Sequence, residues 1–555
     1  MESAGAKDRK VIFVIRIARN RKSGVKTALK NVAIALAYIA MGVALFGLSQ
    51  PSVVFVRGLP FLAYAAYIPV FLLVRRVSWK TVWLCGLIYG IASYCFFTYW
   101  LAAFHPLGIF VISFMYGLYL MLVFPLLKAA VVWFPKKGWL VQWLMWVAYE
   151  YAKTLGFAGF HYGVTAYSHW RWTHLIQIAD LTGVWGVSAL IVFVSAWFSA
   201  VIHDRSVKAH KISACLWLAC FAFTVIYGFV GSVDYSKDKT VEVALIQQNS
   251  DPWVGGMTAY RRDLVTLQRL SDEALASSLD IELVVWPETA FVPRIAWHYQ
   301  RREEHDKFEL VESLLAYLDS APVRFIIGND HAEEGYIEDR RGVVDYNATV
   351  LFSPGQNVIP PRPEVYKKMH LVPFTEYFPY SRQFPKLYEM LLNGDTHMWE
   401  PGKELHVFSV GELHFGTPVC FEDTFGYIGR RFVNNGANAL VNLSNDAWSK
   451  SLACQYQHLS MAVFRTVENR IPEIRATASG QTAIIDPNGK VTAMAEPFRE
   501  TWLTGKIPIR DMTKKTLYTC WGDYMGVLYI ILAAAALLWG MILAVRVKYG
   551  GRKED

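Results

Sequence analysis

The sequence is poor in charged residues. Lysine, arginine, aspartate and glutamate together make up 18% of the 555 residues, below the roughly 25% that is usual in soluble domains. Hydrophobic residues make up 54% and aromatic residues 15%. This balance argues against an ordinary soluble protein and indicates a membrane protein that is long enough to carry a soluble domain as well.

The sequence also lacks any cysteine pattern. Its seven cysteines include no C-x-x-C pair and no zinc-finger spacing, so neither a metal site nor another cofactor is expected. The odd number and the scattered positions argue against a disulfide framework. Cys85, Cys95, Cys215 and Cys220 lie in apolar segments, where cysteine is usually a small core residue.

No nucleic-acid-binding motif is present, although the net charge is +9. The basic residues lie beside apolar segments, where they report membrane topology more simply than nucleic-acid binding. Nucleic acid is therefore not expected as a partner.

Apolar runs of about the length of a transmembrane helix occur eight times. They cover residues 31–48, 59–74, 81–103, 107–134, 139–156, 181–202, 212–232 and 525–545. Lysine and arginine are frequent in alternate connecting loops, whereas the other loops hold only Arg57 and Arg171. The positive-inside rule therefore predicts eight spans with both chain ends in the cytoplasm.

This topology divides the chain into five parts. They are a basic cytoplasmic tail (1–30), a membrane domain with seven helices (31–232), an extracytoplasmic domain (233–524), an eighth transmembrane helix (525–546) and a second cytoplasmic tail (547–555). In the extracytoplasmic part, strand-like apolar runs alternate with stretches of helical periodicity, which predicts a single α/β domain. The predicted strands are 241–247, 283–286, 325–327, 348–352, 406–410, 415–419 and 439–443, with a hairpin at 482–493, and the predicted helices are 259–279, 308–318 and 453–471.

Three residues of this domain have side chains suited to thiol-based acyl transfer. Cys420 ends an apolar run, Glu288 follows another, and Lys368 precedes a third. A thiol needs a base or a positive neighbour to react at neutral pH, and Glu288 and Lys368 offer these. Taken singly, each has an ordinary explanation: a buried structural cysteine, a solvated carboxylate and a lysine at a strand edge.

The order Glu, Lys, Cys resembles the triad of the nitrilase (carbon–nitrogen hydrolase) superfamily, and most closely its membrane-bound branch, the apolipoprotein N-acyltransferases. The segments that carry the resemblance are spread over the whole domain. They are ALIQQN (244–249), VWPETA (285–290), HLVPFTEYFP (370–379), CFE (420–422), NLSNDAW (442–448) and RATASGQTAIIDP (475–487). The resemblance implies a multi-span α-helical membrane domain followed by an α/β domain built as an α-β-β-α sandwich.

The same resemblance implies roles for individual residues. Cys420 is similar to the nucleophile, Glu288 to the general base and acid, and Lys368 to the cation that stabilises the oxyanion. Glu376 is similar to a supporting carboxylate near the lysine. Glu422 either supports the site from a second layer or is a solvated surface carboxylate.

The reaction implied is a ping-pong acyl transfer in a bacterial inner membrane, with the catalytic domain on the periplasmic face. Cys420 would take an acyl chain from a phospholipid as a thioester. The acceptor would be the α-amine of a diacylglyceryl-modified cysteine at the N-terminus of an apolipoprotein. The partners expected are therefore the membrane, its phospholipids and lipoproteins.

The aromatic segment 377–399 is predicted to shield the thioester from water as a mobile lid, with Tyr377, Phe378 and Trp399 near the substrate. A packed surface loop is the alternative. His458, Arg465, Glu468 and Arg470 lie on one helical stretch and are predicted to be structural.

Two other functions compete with acyl transfer. A membrane-anchored amidase would use the same triad, although eight spans exceed what an anchor needs. A transporter or sensor would be expected to carry charges within its spans, and the centres of most runs carry none.

Overall fold

The computed structural model describes residues 4–104, 108–337, 340–392 and 398–550. The outermost residues of the two predicted tails, 1–3 and 551–555, lie outside the described residues, as does part of the predicted lid, 393–397. The described helices are α1 Ala4–Ser49, α2 Ile68–Arg76, α3 Val82–Phe97, α4 Leu101–Phe104, α5 Gly108–Trp133, α6 Gly138–Ala152, α7 Thr173–Ile176, α8 Ala179–Thr182, α9 Val184–Asp204, α10 Lys211–Val230, α11 Met257–Ser277, α12 Ile295–Arg301, α13 His305–Ser320, α14 Pro385–Leu392, α15 Gly426–Asn434, α16 Leu452–Asn469, α17 Leu517–Trp521 and α18 Tyr524–Gly550.

The first ten helices and α18 hold the apolar runs. Within the described residues, five helical segments are long and apolar enough to cross a membrane: Lys26–Ser49, Gly108–Trp133, Val184–Asp204, Lys208–Val230 and Tyr524–Arg546. The other three predicted spans fall on α2, α3 and α6, with nine, 16 and 15 residues. At about 1.5 Å per residue these reach less than the roughly 30 Å of a hydrocarbon core. The eight-span topology therefore stays a prediction.

The region between α10 and α18 contains two six-stranded sheets. The strands are β1 Thr240–Gln247, β2 Ile281–Val285, β3 Arg324–Ile337, β4 Arg340–Phe352, β5 Glu364–Lys367, β6 Val407–Val410, β7 Leu413–Gly416, β8 Ala439–Ser444, β9 Glu473–Thr477, β10 Ala483–Ile485, β11 Val491–Met494 and β12 Thr501–Pro508. One sheet has the order β12-β1-β2-β3-β4-β5, and the other has the order β11-β10-β9-β8-β7-β6.

Alternate residues of the strands face two different cores, as a period of two requires. In β1, Ala244 and Ile246 pack with Leu267 of α11. Val243 and Leu245 belong to the other core, which contains Phe415 and Val441 of the second sheet. Helices α11 and α13 thus cover the first sheet and helices α15 and α16 the second. The predicted α-β-β-α sandwich next to a helical membrane domain is confirmed.

The structure corrects one detail next to the candidate nucleophile. The sequence predicts a strand over 415–419, but β7 ends at Gly416. The strand is cut short because Val419 makes only an isolated bridge to Leu443 and the chain then turns. Cys420 therefore does not end a strand but begins a 3-10 turn, Cys420–Thr424.

Buried polar contacts join the helical bundle to the α/β domain. Arg470, after α16, lies with its Nη2 2.6 Å from Asp180 Oδ2 of α8. Gln177 donates from Nε2 to the carbonyl of Asn488 in the β10–β11 turn at 2.9 Å. Trp100 donates from its indole nitrogen to Gln457 of α16 at 3.0 Å. These polar groups are buried, so leaving one of them without its partner would cost free energy. The contacts therefore fix how the helical bundle and the α/β domain meet.

Arg470→Gln is expected to destabilise the protein by about 3–5 kcal/mol, because it leaves the buried Asp180 carboxylate without its cation. The measurement is the thermal midpoint in detergent. The double variant Arg470→Gln/Asp180→Asn should recover much of the loss. A double variant as unstable as the sum of the two single variants would show that the pair does not interact.

Candidate active site

One basic and two acidic side chains meet where two loops leave the first sheet, one after β2 and one after β5. Lys368 directly follows β5 and is fully buried. Its Nζ lies 3.2 Å from Glu288 Oε1 and 2.9 Å from Glu376 Oε1. The structure thus brings Glu288 next to Lys368 and Glu376, which lie about 80 residues further along the chain.

A close approach of two backbone segments positions Glu288. Gly328 of β3 lies under the loop that carries Glu288, and a Cβ at this position would come within 2.6 Å of Glu288 Cα. Only glycine fits without displacing the loop. Asn347 of β4 completes the support, since its side chain donates to Glu288 Oε1 at 2.8 Å and its carbonyl accepts from Lys368 N at 2.8 Å.

Cys420 occupies an unusual backbone conformation. Its φ is +49°, in the left-handed region that non-glycine residues seldom adopt and that often marks functional sites. The Asn442 side chain donates to the carbonyls of Pro418 and Cys420, at 2.9 and 3.3 Å. These bonds hold the turn, which places the thiol on the wall of the cavity that Glu288 also lines.

The electrostatics of the site favour a neutral thiol and a charged lysine. Burial, and then the Glu288 carboxylate, raise the pKa of Cys420 to about 12, against an opposing effect of Lys368. Burial alone would lower the pKa of Lys368, but Glu288 and Glu376 outweigh it and raise that pKa. Burial also raises the pKa of Glu376. The thiol must therefore lose its proton to a base as it reacts.

Glu422 joins the lysine loop to the cysteine turn. Its carboxylate accepts hydrogen bonds from the backbone N–H groups of Val419, Met369 and His370 at 2.8–2.9 Å, and from the Tyr366 hydroxyl at 3.0 Å. The side chain is fully buried, so the alternative of a solvated surface carboxylate is wrong. Glu422 fixes the distance between the segments that carry Lys368 and Cys420.

A buried cluster lies behind Cys420, and the sequence predicts only a structural role for its member His458. His458 of α16 has Nε2 2.7 Å from Asp423 Oδ1 and 3.2 Å from the Cys420 carbonyl, and Nδ1 3.0 Å from Asp446 Oδ1. Burial works against a charged imidazole, but Asp446 outweighs it and raises the pKa of His458 to about 9. Arg475 also binds Asp423. The helical periodicity around His458 gave no sign that its partners come from distant loops.

The site opens into a cavity of about 300 Å³ between the two parts of the protein. Trp100, Leu101 and Phe104, at the end of α3 and in α4, form one apolar wall. Trp448 stacks edge-on against Trp100 and Phe104. The cavity therefore offers reactive groups on one side and a hydrocarbon-like surface on the other.

The predicted lid residues occupy different positions. Trp399 lines the cavity, and its backbone N–H donates to the Glu376 carbonyl at 2.8 Å. Phe378 is buried, and the ring centroids of Tyr377 and Phe157 are 6.4 Å apart. Neither Phe378 nor Tyr377 is among the residues that line the cavity. A mobile lid stays a prediction.

The arrangement is suited to covalent acyl transfer: a thiol, a carboxylate that can take its proton, and a cation that can stabilise an oxyanion. Within the described ranges, no group of three or more His, Cys, Asp or Glu residues could hold a metal ion.

Comparison with known proteins gives matches over both parts of the chain. Residues 41–197 match the family described as apolipoprotein N-acyltransferase N-terminal domain, and residues 242–515 match the carbon-nitrogen hydrolase family. The chain is 44% identical to apolipoprotein N-acyltransferase 1 of Treponema denticola, over 88% of this chain and 93% of that protein. It is 46% identical to the Treponema pallidum protein of the same name, over 92% and 96%.

A more distant relative is apolipoprotein N-acyltransferase of Geobacter metallireducens, 30% identical over 89% of this chain and 92% of that protein. Among solved structures, a Saccharomyces cerevisiae member of branch 10 of the nitrilase superfamily is 17% identical and covers 50% of this chain and 93% of its own, with a TM-score of 0.35. A carbon-nitrogen hydrolase from Helicobacter pylori is 15% identical, covers 51% and 94%, and has a TM-score of 0.36.

Glu288→Gln is expected to increase the alkylation rate of Cys420 by iodoacetamide, by about tenfold for each unit by which the thiol pKa falls. The reason is that the Glu288 carboxylate raises that pKa. In the unmodified protein the rate should rise with pH from 7 to 10 without a plateau. The measurement is site-specific mass spectrometry of the Cys420 peptide. Slower alkylation in Glu288→Gln would show that the resting carboxylate activates the thiol instead.

Glu422→Gln is expected to lower the free energy of unfolding by about 2 kcal/mol. The reason is that the oxygen of the glutamine amide can accept hydrogen bonds but its nitrogen cannot. Glu412→Gln is the matched control, since the Glu412 side chain is exposed and forms an ion pair with the exposed Lys239. Thermal midpoints in detergent measure both. Equal midpoints for the two variants would contradict the joining role of Glu422.

Proposed function

The chain belongs to the apolipoprotein N-acyltransferase family, and we propose that it carries an acyl chain from a membrane phospholipid to a lipoprotein as a thioester on Cys420. It is an acyltransferase of lipoprotein N-acylation. The acceptor in this proposal is the α-amine of an N-terminal diacylglyceryl-cysteine. The observation that carries the proposal is the meeting of Cys420, Glu288 and Lys368 beside an apolar cavity wall formed by Trp100, Leu101 and Phe104.

In the first half-reaction, Glu288 accepts the thiol proton while Cys420 Sγ attacks the carbonyl carbon of the phospholipid ester. The carbonyl oxygen becomes an oxyanion beside the Lys368 ammonium, which stabilises it together with a backbone N–H near Cys420. The intermediate then collapses. The carbon–oxygen bond of the ester breaks, Glu288 returns the proton to the departing oxygen, and lysophospholipid leaves.

In the second half-reaction, the α-amine of the acceptor attacks the thioester carbonyl. Glu288 accepts a proton from the amine, and Lys368 again stabilises the oxyanion. The carbon–sulfur bond breaks and the proton passes to the sulfur, which restores the neutral thiol. The product carries an amide, which is more stable than the thioester and makes the transfer favourable.

Glu376 acts through Lys368 in this scheme. With Glu288 it flanks the ammonium, at 2.9 and 3.2 Å, and so keeps the lysine charged although it is fully buried. Val372 N donates to the second oxygen of Glu376 at 2.9 Å, which fixes the carboxylate. Glu376 is thus proposed as a positioning residue.

The aromatic wall supports a long acyl chain as the group transferred. Trp100, Phe104 and Trp448 offer apolar surface next to the thiol, and apolar walls also keep water from a thioester. The predicted shielding lid, 377–399, is part of this proposal, and its residue Trp399 lines the cavity.

The proposed setting is the bacterial inner membrane, with the catalytic domain (233–524) on the periplasmic face. The spans would be seven helices in 31–232 and an eighth at 525–546, with tails 1–30 and 547–555 inside. The distribution of lysine and arginine supports this orientation. The position of the cavity at the ends of α3 and α4 supports lateral entry of a lipid chain from the bilayer.

Incubation with phospholipid alone should add one acyl mass to the unmodified protein and none to Cys420→Ser. The reason is that the oxygen of serine is a much weaker nucleophile than a thiol with the same base. Intact-protein mass spectrometry measures the adduct, and a diacylglyceryl-cysteine peptide added later should remove it. Cys520→Ser is the control, because Cys520 is exposed and should still permit the adduct.

Two results would contradict the proposal. An adduct that persists in Cys420→Ser would place the acyl group elsewhere. Release of ammonia from small amides by a protein that never forms the adduct would favour an amidase.

A further inference from the structure

Two further cavities lie at the junction of the two parts of the protein, away from the triad. Their volumes are about 350 and 330 Å³, and Arg57 and Arg171 line both. We call the joined cavities the basic groove. Its walls are the loop 57–61, the loop 168–173, Tyr456 and Leu459 of α16, and the β10–β11 hairpin with Lys490.

The charged side chains that line the basic groove are all positive. Arg57, Arg171 and Lys490 are exposed, and none of the residues that line the two cavities is acidic. No carboxylate in the described part of the chain forms an ion pair with any of these three cations. Arg57 instead lies over the Tyr456 ring at 5.9 Å. Arginine binds phosphate well because its planar fork donates two parallel hydrogen bonds.

A buried donor in the basic groove has no acceptor. Trp170 lines the cavity of 350 Å³ and is 6% exposed, yet its indole N–H has no hydrogen-bond partner in the described structure. A buried polar group without a partner costs free energy. A ligand oxygen in the groove would remove that cost.

The surroundings of the basic groove are apolar and exposed. Val53, Val54 and Phe55 precede Arg57, and each is at least 41% exposed. Phe61 and Trp172, which line the groove, are exposed as well. Exposed aliphatic and aromatic side chains beside arginine are typical of the membrane–water interface. Arg57 and Arg171 are also the two cations of the predicted outer loops, where the positive-inside rule expects few.

From these observations we propose that the basic groove binds the headgroup of an anionic phospholipid of the outer leaflet. Arg57 and Arg171 hold the phosphate, and Trp170 donates to a phosphate or ester oxygen. The acyl chains lie against Phe61, Trp172 and the Val53–Phe55 segment. The bound lipid stays intact, because no nucleophile of the triad lines the groove.

The basic groove and the catalytic cavity share helix α16 but none of its residues. Tyr456 and Leu459 line the groove, whereas His458 lines the catalytic cavity. The proposed lipid is therefore additional to the acyl donor. It contacts α16, the loops of the bundle and the β10–β11 hairpin at once, so it stabilises their junction.

The test uses the full-length Cys420→Ala chain, which cannot consume lipid, delipidated in a neutral detergent. Dioctanoyl phosphatidylglycerol is titrated in, and native mass spectrometry counts the lipids bound. Arg57→Gln/Arg171→Gln should retain one lipid fewer and weaken that site by about tenfold or more. The matched control, Lys136→Gln/Lys137→Gln, removes two exposed cations from another loop and should bind as the parent does.

Trp170→Phe is a second variant that leaves all charges in place. It replaces the indole by a smaller ring without the N–H donor, and should weaken the same site by about threefold to tenfold. Unchanged binding by both groove variants would overturn the proposal, as would equal affinity for dioctanoyl phosphatidylcholine. Binding of inorganic phosphate without any binding of dioctanoyl phosphatidylglycerol would also overturn it, since the groove would then be an ion site. Because catalysis is absent from the assay, these outcomes do not depend on the proposed acyl transfer.

Discussion

The site depends on one buried cation between two carboxylates. Burial removes water from Lys368, so its charge is kept only because Glu288 and Glu376 lie within 3.2 Å. The same contact places the proposed base, Glu288, next to the proposed oxyanion-stabilising group, Lys368. Loss of either carboxylate would change the charge of the lysine as well as its position, so the three side chains work as one unit.

Two further buried networks hold the thiol against this unit. The Glu422 carboxylate accepts hydrogen bonds from backbone N–H groups of the loop that carries Lys368 and of the turn that carries Cys420. On the other side, His458 contacts the Cys420 carbonyl as well as Asp423 and Asp446. The left-handed φ of Cys420 costs energy, and such a conformation persists only where the surrounding structure imposes it. These contacts from both sides supply that constraint, which explains why so many charged groups are buried so close to the cysteine.

The sequence predicts an α/β domain because apolar strands such as β1 and β8 stand out, whereas the sandwich arrangement is implied by the family resemblance. Glu288 follows an apolar run and Lys368 precedes one, and the resemblance then joins them to Cys420. The sequence misses β9 because Glu473 and Arg475 look solvated, although the strand is fully buried. It assigns His458 only a structural role, because the partners of His458, Asp423 and Asp446, come from distant loops. The outer halves of β3 and β4 are polar and exposed, so their pairing cannot be read from hydrophobicity. Such contacts depend on which segments the fold brings together.

The burial that makes the thiol unreactive also suits it to carry an acyl chain. A raised pKa leaves Cys420 neutral at rest, so the thiol does not react with oxidants or adventitious electrophiles as a thiolate would. In the proposed reaction, an ester in the cavity brings the carbonyl whose developing charge Lys368 would stabilise, and only then would proton loss to Glu288 be favourable. The apolar side chains of Trp100, Phe104 and Trp448, which line the same cavity as Cys420, would then keep water from the proposed thioester. Protection of the resting enzyme and protection of the intermediate thus have one physical cause, the exclusion of water from the face of the α/β domain that meets the helices.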